Sequence, residues 1–283
     1  MSLPNPAQPS LVAARLEQRP LLRLLIAVLV IGLPFVLIAK ALALALPDPG
    51  LRGLGNLMRG ALMVALYAGY VRWVEQRRVS ELAGPAAFKE FALGAGLSTA
   101  LIVAHVALLA AAGHYVVTGW ADWRTAVASV LPAMLVVAVC EEIVLRGLLF
   151  RLLEQAWGSW VALALSSLVF GLMHFFNPNA TLATSVALAL GLGLMFAAAY
   201  MLTRRLWLAI GLHFGWNYAQ AGLFDVPMSG FAAKAVIHAH ITGPDWLSGG
   251  GFGAEGALPS LLLCLLTSVW MLRKAWQRGQ FRR

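Results

Sequence analysis

The chain has 283 residues, of which 60% are hydrophobic and 12% charged, and its mean hydropathy is +0.79. Soluble domains carry roughly 25% charged residues, so this composition excludes an ordinary water-soluble globule and predicts one polytopic membrane domain. The net charge of +9 gathers at the ends of apolar runs, so membrane orientation accounts for it and no nucleic-acid partner is expected.

Residues 1–20 are polar and proline-rich and predict a tail ahead of the membrane. Leu21–Leu46 follows, longer than the ~20 residues that cross a bilayer. Ala41-Leu42-Ala43 before Pro47 resembles a signal-peptidase site. The run nevertheless exceeds the ~7–15 residues of a signal h-region, so a retained first span is expected. Further spans are predicted at Asn56–Trp73, Phe91–Gly113, Thr125–Phe150, Trp160–Phe175, Leu182–Thr203, Leu206–Phe224 and Leu258–Trp276. The fold class is therefore all-α, a polytopic membrane helix bundle of eight transmembrane helices. It forms a single domain over 21–276, closed by a basic tail at 277–283. Small residues four apart, Gly94/Ser98, Gly96/Ala100 and Gly193/Ala197, predict close helix approach.

Basic residues set the orientation. Arg15, Arg19 and Arg23 open span one; Arg72, Arg77, Arg78 and Lys89 join spans two and three. Arg146 and Arg151 follow span four, Arg204 and Arg205 follow span six, and Arg273, Lys274, Arg278, Arg282 and Arg283 close the chain. The opposite side receives Arg52, Arg59, Arg124 and Lys234, with Lys40 inside span one. Sixteen against four predicts that both termini are cytoplasmic.

Several features read as structural. Cys140 and Cys264 are lone cysteines with no C-x-x-C or zinc spacing. His238-Ala239-His240 falls in the long outer loop after span seven, where a solvated loop is the reading preferred over a metal site. The glycine-rich Gly243–Gly256 lacks the Lys-Ser/Thr of a phosphate cradle and reads as a flexible or re-entrant outer loop. The chain carries no inverted repeat of the transporter kind.

Ionisable groups inside apolar helices are costly and default to function. Glu141 and Glu142 end the apolar run Val130–Cys140. Glu142 and Arg146 lie at i and i+4, one face and one ion pair. Glu141 points about 100° away around the helix and has no local partner. One carboxylate thus reads as structural and the other as free for chemistry. Span five ends Phe170-Gly171-Leu172-Met173-His174, and span seven carries His213 and Asn217 on one face at i and i+4. Polar groups on three spans must satisfy one another or line a wet cavity.

EExxxR (Glu141, Glu142, Arg146), FxxxH (Phe170, His174) and HxxxN (His213, Asn217) resemble, in order, the three motifs of the CPBP intramembrane proteases. That family, also called Abi, includes the type II CAAX prenyl endopeptidases and proteins linked to bacteriocin processing. The resemblance implies an intramembrane endopeptidase with its catalytic core in 125–224. It implies that Glu141 and His174 activate a water while His213 and Asn217 stabilise the oxyanion, with Glu142, Arg146 and Phe170 in support. No cofactor is implied. The partners expected are membrane lipid and a peptide or membrane-protein substrate. Residue chemistry agrees: hydrolysis needs a base for water and donors for the developing oxyanion. No serine sits in a nucleophile elbow.

Two other readings stand. Glu141, His174 and His213 form a candidate His₂Glu zinc set with water in the fourth position, although the usual H-E-x-x-H helix is missing. A non-catalytic immunity or scaffold protein is the other. The Ala, Leu and Arg content points to a bacterial inner membrane. Counted from Gly158, His174 lies ~24 Å along its helix, whereas His213 lies only ~12 Å beyond Arg205. Tilt, a broken helix or long cytoplasmic helix ends must bring the two histidines level.

Overall fold

A computed structural model of the chain describes residues 16–46 and 51–283. Most of the expected polar tail, residues 1–15, and Pro47 after the signal-peptidase-like site lie outside the described residues. The protein is built of helices: α1 Pro20–Ala45, α2 Arg52–Gly69, α3 Ala87–Ala111, the 48-residue stretch Ala126–Met173, α6 Leu182–Thr203, α7 Trp207–Tyr218 and α8 Leu258–Gln277. Pro20 and Pro259 stand in the first turns of α1 and α8, where a missing N–H costs least. Thr181 opens α6 with a reciprocal capping box to Thr184. Among the described residues five helices are long and apolar enough to cross a membrane: α1, α3, Ala126–Met173, α6 and α8. The molecule is an integral membrane helix bundle.

Ala126–Met173 is not one rod. Gly158 has φ 80 and ψ 171, a conformation that glycine alone adopts freely. In one continuous helix Arg146 and Phe170 would stand ~36 Å apart. The Arg146 guanidinium instead lies 5.0 Å from the Phe170 ring centroid. The chain therefore doubles back at Gly158, giving α4 (126–157) and α5 (159–173). Helix α4 runs seven residues past the expected end at Phe150, and this answers the depth problem. Glu142 stands ~24 Å before Gly158 and His174 ~24 Å after it. Helix α7 starts part-way up. The Leu206 N–H donates to the Glu81 carbonyl at 2.9 Å, and the Glu81 carboxylate is 3.5 Å from Arg151. From that level Glu142 lies ~13.5 Å up α4 and His213 ~10.5 Å up α7.

Small residues bring α3 against α7. A Cβ on Gly211 would run into the Phe91 carbonyl, and one on Gly215 would meet the Ala95 carbonyl and the Ser98 hydroxyl. Gly94 meets the Leu208 carbonyl in return. Gly94 and Ser98 thus act as expected, while Gly96 faces open space and contributes nothing to this contact. Gly193 packs on Ser167 of α5.

The bundle also carries one antiparallel ribbon, which the all-α reading omitted. Strand β1 (Tyr115–Trp120) pairs with β2 (Ile237–Ile241), with a bulge between Val117 and Gly119. His238 and His240 therefore lie on a strand rather than a loop. Its period of two turns both outward, and His238 sits 3.8 Å from Asp225. The Gly243–Gly256 segment is folded against the bundle. Gly253 (φ 99) packs on the Pro227 carbonyl, where a side chain has no room, and the chain there turns Glu255 inward.

Candidate active site

Six of the seven residues singled out by the motifs are linked by contacts, and Asn217 lies buried one turn beyond His213. Glu141, Glu142 and Arg146 come from α4, Phe170 from α5, His174 from its C-cap, and His213 and Asn217 from α7. The residues around each pair form widened π turns, Ile143–Phe150 after Glu142 and Ala219–Leu223 after Asn217. Such turns recur at functional sites because they re-aim side chains out of the regular ladder.

Arg146 is fully buried, and both of its terminal nitrogens are engaged while Nε has no partner among the described residues. Its Nη1 donates to Glu142 Oε1 at 3.0 Å and its Nη2 to the Gly193 carbonyl at 2.8 Å. The guanidinium lies between the rings of Phe170 and Phe196, 5.0 and 5.4 Å from their centroids. Buried cation–π contacts reach about 2 kcal/mol, which gives the FxxxH phenylalanine a physical role. Glu142 does more than pair with Arg146, as the spacing alone suggested. The same Oε1 also accepts from His213 Nδ1 at 2.9 Å. A carboxylate that pairs with arginine can only accept, so Nδ1 of His213 carries a proton and Nε2 is the ring atom left for the site. Phe196, stacked on the imidazole at 4.7 Å and 16°, holds the ring plane.

Glu141 is held differently. Its side chain is 24% exposed, and Oε2 has no hydrogen-bond partner among the described residues. That oxygen lies 3.9 Å from His213 Nε2, too far for a direct hydrogen bond and within the range a bridging molecule spans. His174 Nδ1–H donates to the Phe170 carbonyl at 2.8 Å, which leaves its Nε2 as the lone-pair nitrogen. His174 and His213 flank Phe170, with ring centroids 4.9 and 5.9 Å from it. Asn217 is buried one turn beyond His213.

Three neighbours were not read from the motifs. Phe196 belongs to an unremarkable apolar span. Gln220 extends the His213, Asn217 stripe to i+7, a spacing that would have found it. Glu255 is 4% exposed and accepts from Gln220 Nε2 at 3.2 Å and from the Ser229 hydroxyl at 2.6 Å. Burial pushes its carboxyl above the ordinary range, against the pull of the Ser229 hydroxyl and of nearby His174 and His213. A carboxylate in the glycine-rich loop, one of two there with Asp245, was the available signal.

Residues 122–219 match the family model for the type II CAAX prenyl endopeptidase Rce1-like proteins. This segment is Rce1-like. It covers about a third of the chain and contains all seven motif residues. The match likens this segment to those endopeptidases, and the five apolar helices fit a membrane protein. It ends before Gln220 and Glu255, which lie outside the matched region. No curated protein and no solved structure matches the chain.

The geometry separates the two adjacent carboxylates in an experiment. Glu142→Gln removes the acceptor shared by Arg146 and His213 and strands a buried guanidinium, a loss of about 3–5 kcal/mol. Folded yield from membranes should fall several-fold, as read by size-exclusion recovery. Yield unchanged from wild type would show that the buried pair is not what holds these helices.

Proposed function

We propose that the protein is a glutamate-dependent intramembrane endopeptidase with Glu141 as the base. One observation carries this reading: Glu141 is partly exposed with its Oε2 unpartnered beside His213, while Glu142 is fully buried with its Oε1 shared by Arg146 and the His213 ring and only an enclosed Oε2 unpartnered. Water bound against Glu141 and the free Nε2 of His174 gives a proton to the Glu141 carboxylate as its oxygen attacks the scissile carbonyl carbon. The carbonyl π electrons move to oxygen, where Asn217 Nδ2–H and, in the doubly protonated ring, His213 Nε2–H donate. Collapse of the tetrahedral species breaks the C–N bond. The proton then passes from Glu141 to the leaving amine, which returns the carboxylate to its starting state. The substrate is a peptide or the exposed segment of a membrane protein; the Rce1-like description favours a prenylated C-terminal sequence.

The spans number eight, with both termini cytoplasmic and the chain in a bacterial inner membrane. The support is the sixteen-to-four asymmetry of basic residues together with the reversal at Gly158. Reporter fusions after Arg205 and after Arg283 should read cytoplasmic, and fusions within Ser229–Gly256 external. A fusion at Gly250 that reads cytoplasmic overturns this map.

Glu141→Gln should keep wild-type yield and abolish cleavage in a proteome-derived peptide library, with a loss of at least about 10²–10⁴ in rate. Retention of most activity by that variant would remove Glu141 from the role of base.

A zinc site would draw on Glu141, His174 and His213. Among the described residues no three His, Cys, Asp or Glu side chains come together in a metal-holding group. We therefore infer a water activated by protein groups alone, with activity that survives prolonged treatment with EDTA and phenanthroline. Stoichiometric zinc in the purified protein, lost in His174→Ala and needed to restore activity, is the result that promotes the metalloprotease.

A further inference from the structure

Beside Arg204, in the turn from α6 to α7, lies a cavity of about 440 Å³ that the proposed chemistry does not use. Its walls carry four guanidinium groups, Arg77, Arg151, Arg204 and Arg282, and two carboxylates, Glu81 and Glu154. Both carboxylates are already engaged. Glu154 accepts from Arg204 through both oxygens, at 2.5 and 3.1 Å, and from the Ser159 hydroxyl at 2.6 Å. Glu81 lies 2.9 Å from Arg77 and 3.5 Å from Arg151. Behind the wall Glu75 is shared by Arg23, Arg77 and Arg151 at 2.5, 2.7 and 2.9 Å.

Five guanidiniums therefore meet three carboxylates, and the network holds a positive excess of two. Arg151 is 5% exposed, and its Nη1 has no hydrogen-bond partner among the described residues. Arg282 approaches Glu154 only to 3.9 Å and is 58% exposed. Arg204 keeps its place in a left-handed backbone conformation (φ 56) that is unfavourable for a residue bearing a side chain. Excess charge beside a low-dielectric bundle is stabilised by a bound anion, and guanidinium forks match phosphate oxygens in pairs.

The neighbourhood says what carries the phosphate. Trp157, Trp160 and Trp276 are 50–63% exposed near this end, as in the aromatic belts at headgroup level. The chain segment 280–282 is a shared wall. Gln280 and Arg282 line the cavity. Phe281 between them turns the other way, 4.9 Å from the Trp160 ring and 5.1 Å from Trp276. There it lines an apolar groove of about 420 Å³ with Val269 and Leu272. A cationic cavity and an apolar groove thus share one wall at the membrane surface.

We propose that this end of the bundle is a binding site for an anionic phospholipid, with its phosphate in the arginine cavity and an acyl chain in the Trp160/Phe281/Trp276 groove. The site is separate from the Glu141 centre and does not depend on what that centre does.

The test is thermal unfolding of the purified full chain in an uncharged detergent. The probes are short-chain phosphatidylglycerol, short-chain phosphatidylcholine and inorganic phosphate. Phosphatidylglycerol should raise Tm saturably, phosphatidylcholine should not, and phosphate should act only at much higher concentration. Arg282→Gln, a largely exposed side chain, should leave the unliganded Tm near wild type and weaken the phosphatidylglycerol effect about tenfold, the loss of one charge-assisted contact. Trp160→Ala should weaken it without altering the response to phosphate. Equal shifts from the two lipids, or wild-type binding by both variants, would overturn the site. Phosphate binding as tightly as phosphatidylglycerol would assign the cavity to a soluble phosphate and overturn the lipid reading.

Discussion

The buried Arg146–Glu142–His213 chain of charge is the constraint that the rest of the bundle serves. A guanidinium with no exposure, deep among apolar helices, is tolerable only when its charge and its donors are met. Glu142 supplies the charge, Gly193 a carbonyl, and Phe170 and Phe196 two π faces. Four helices, α4 to α7, contribute to that one cation. Satisfying Arg146 therefore also sets their depth and rotation. His213 joins the same carboxylate, so the requirement that buries the arginine also fixes which imidazole nitrogen faces the site.

Two packing devices make that convergence sterically possible. Glycines 94, 211 and 215 let α3 and α7 approach until backbone meets backbone, which seats His213 and Asn217 deep in the bundle. The reversal at Gly158 folds a 48-residue helical stretch into two antiparallel arms, one about twice the length of the other. Glu142 and His174 stand equally far along the chain from the turn, which puts them at one depth. The long arm beyond Phe150 is polar where it leaves the apolar bundle, and there Arg151 and Glu154 tie it to the arginine–glutamate network.

Charge is thus divided between two places with different physics. At the Glu141 centre one guanidinium is paired with one carboxylate, and the second carboxylate, Glu141, is partly exposed with its Oε2 unpartnered. At the basic end the guanidiniums outnumber the carboxylates, and the aromatic side chains around them mark a wet, headgroup-level setting. The first arrangement leaves a partly exposed carboxylate beside a buried imidazole. The second gives affinity for anions at a surface.

The primary structure determined the class of molecule and singled out the polar residues that the fold gathers around Arg146. An apolar content of 60%, gathered in runs long enough to span, reads as helices in lipid. Charges and imidazoles in such helices are few enough that EExxxR, FxxxH and HxxxN identified their own residues, and i, i+4 spacing alone paired Glu142 with Arg146. Local periodicity says nothing about distances between helices, so the rest was decided by tertiary structure. It was packing that gave Glu142 a second partner in His213, brought Phe196 onto that ring, and carried Glu255 inward from a loop more than 30 residues away. The depth mismatch between His174 and His213 had the same origin. Helix rise is a property of one segment, whereas level is a relation between segments. Gly158 and the extra turns after Phe150 set that relation, because only a backbone free to take positive φ could turn the chain where the long arm ends.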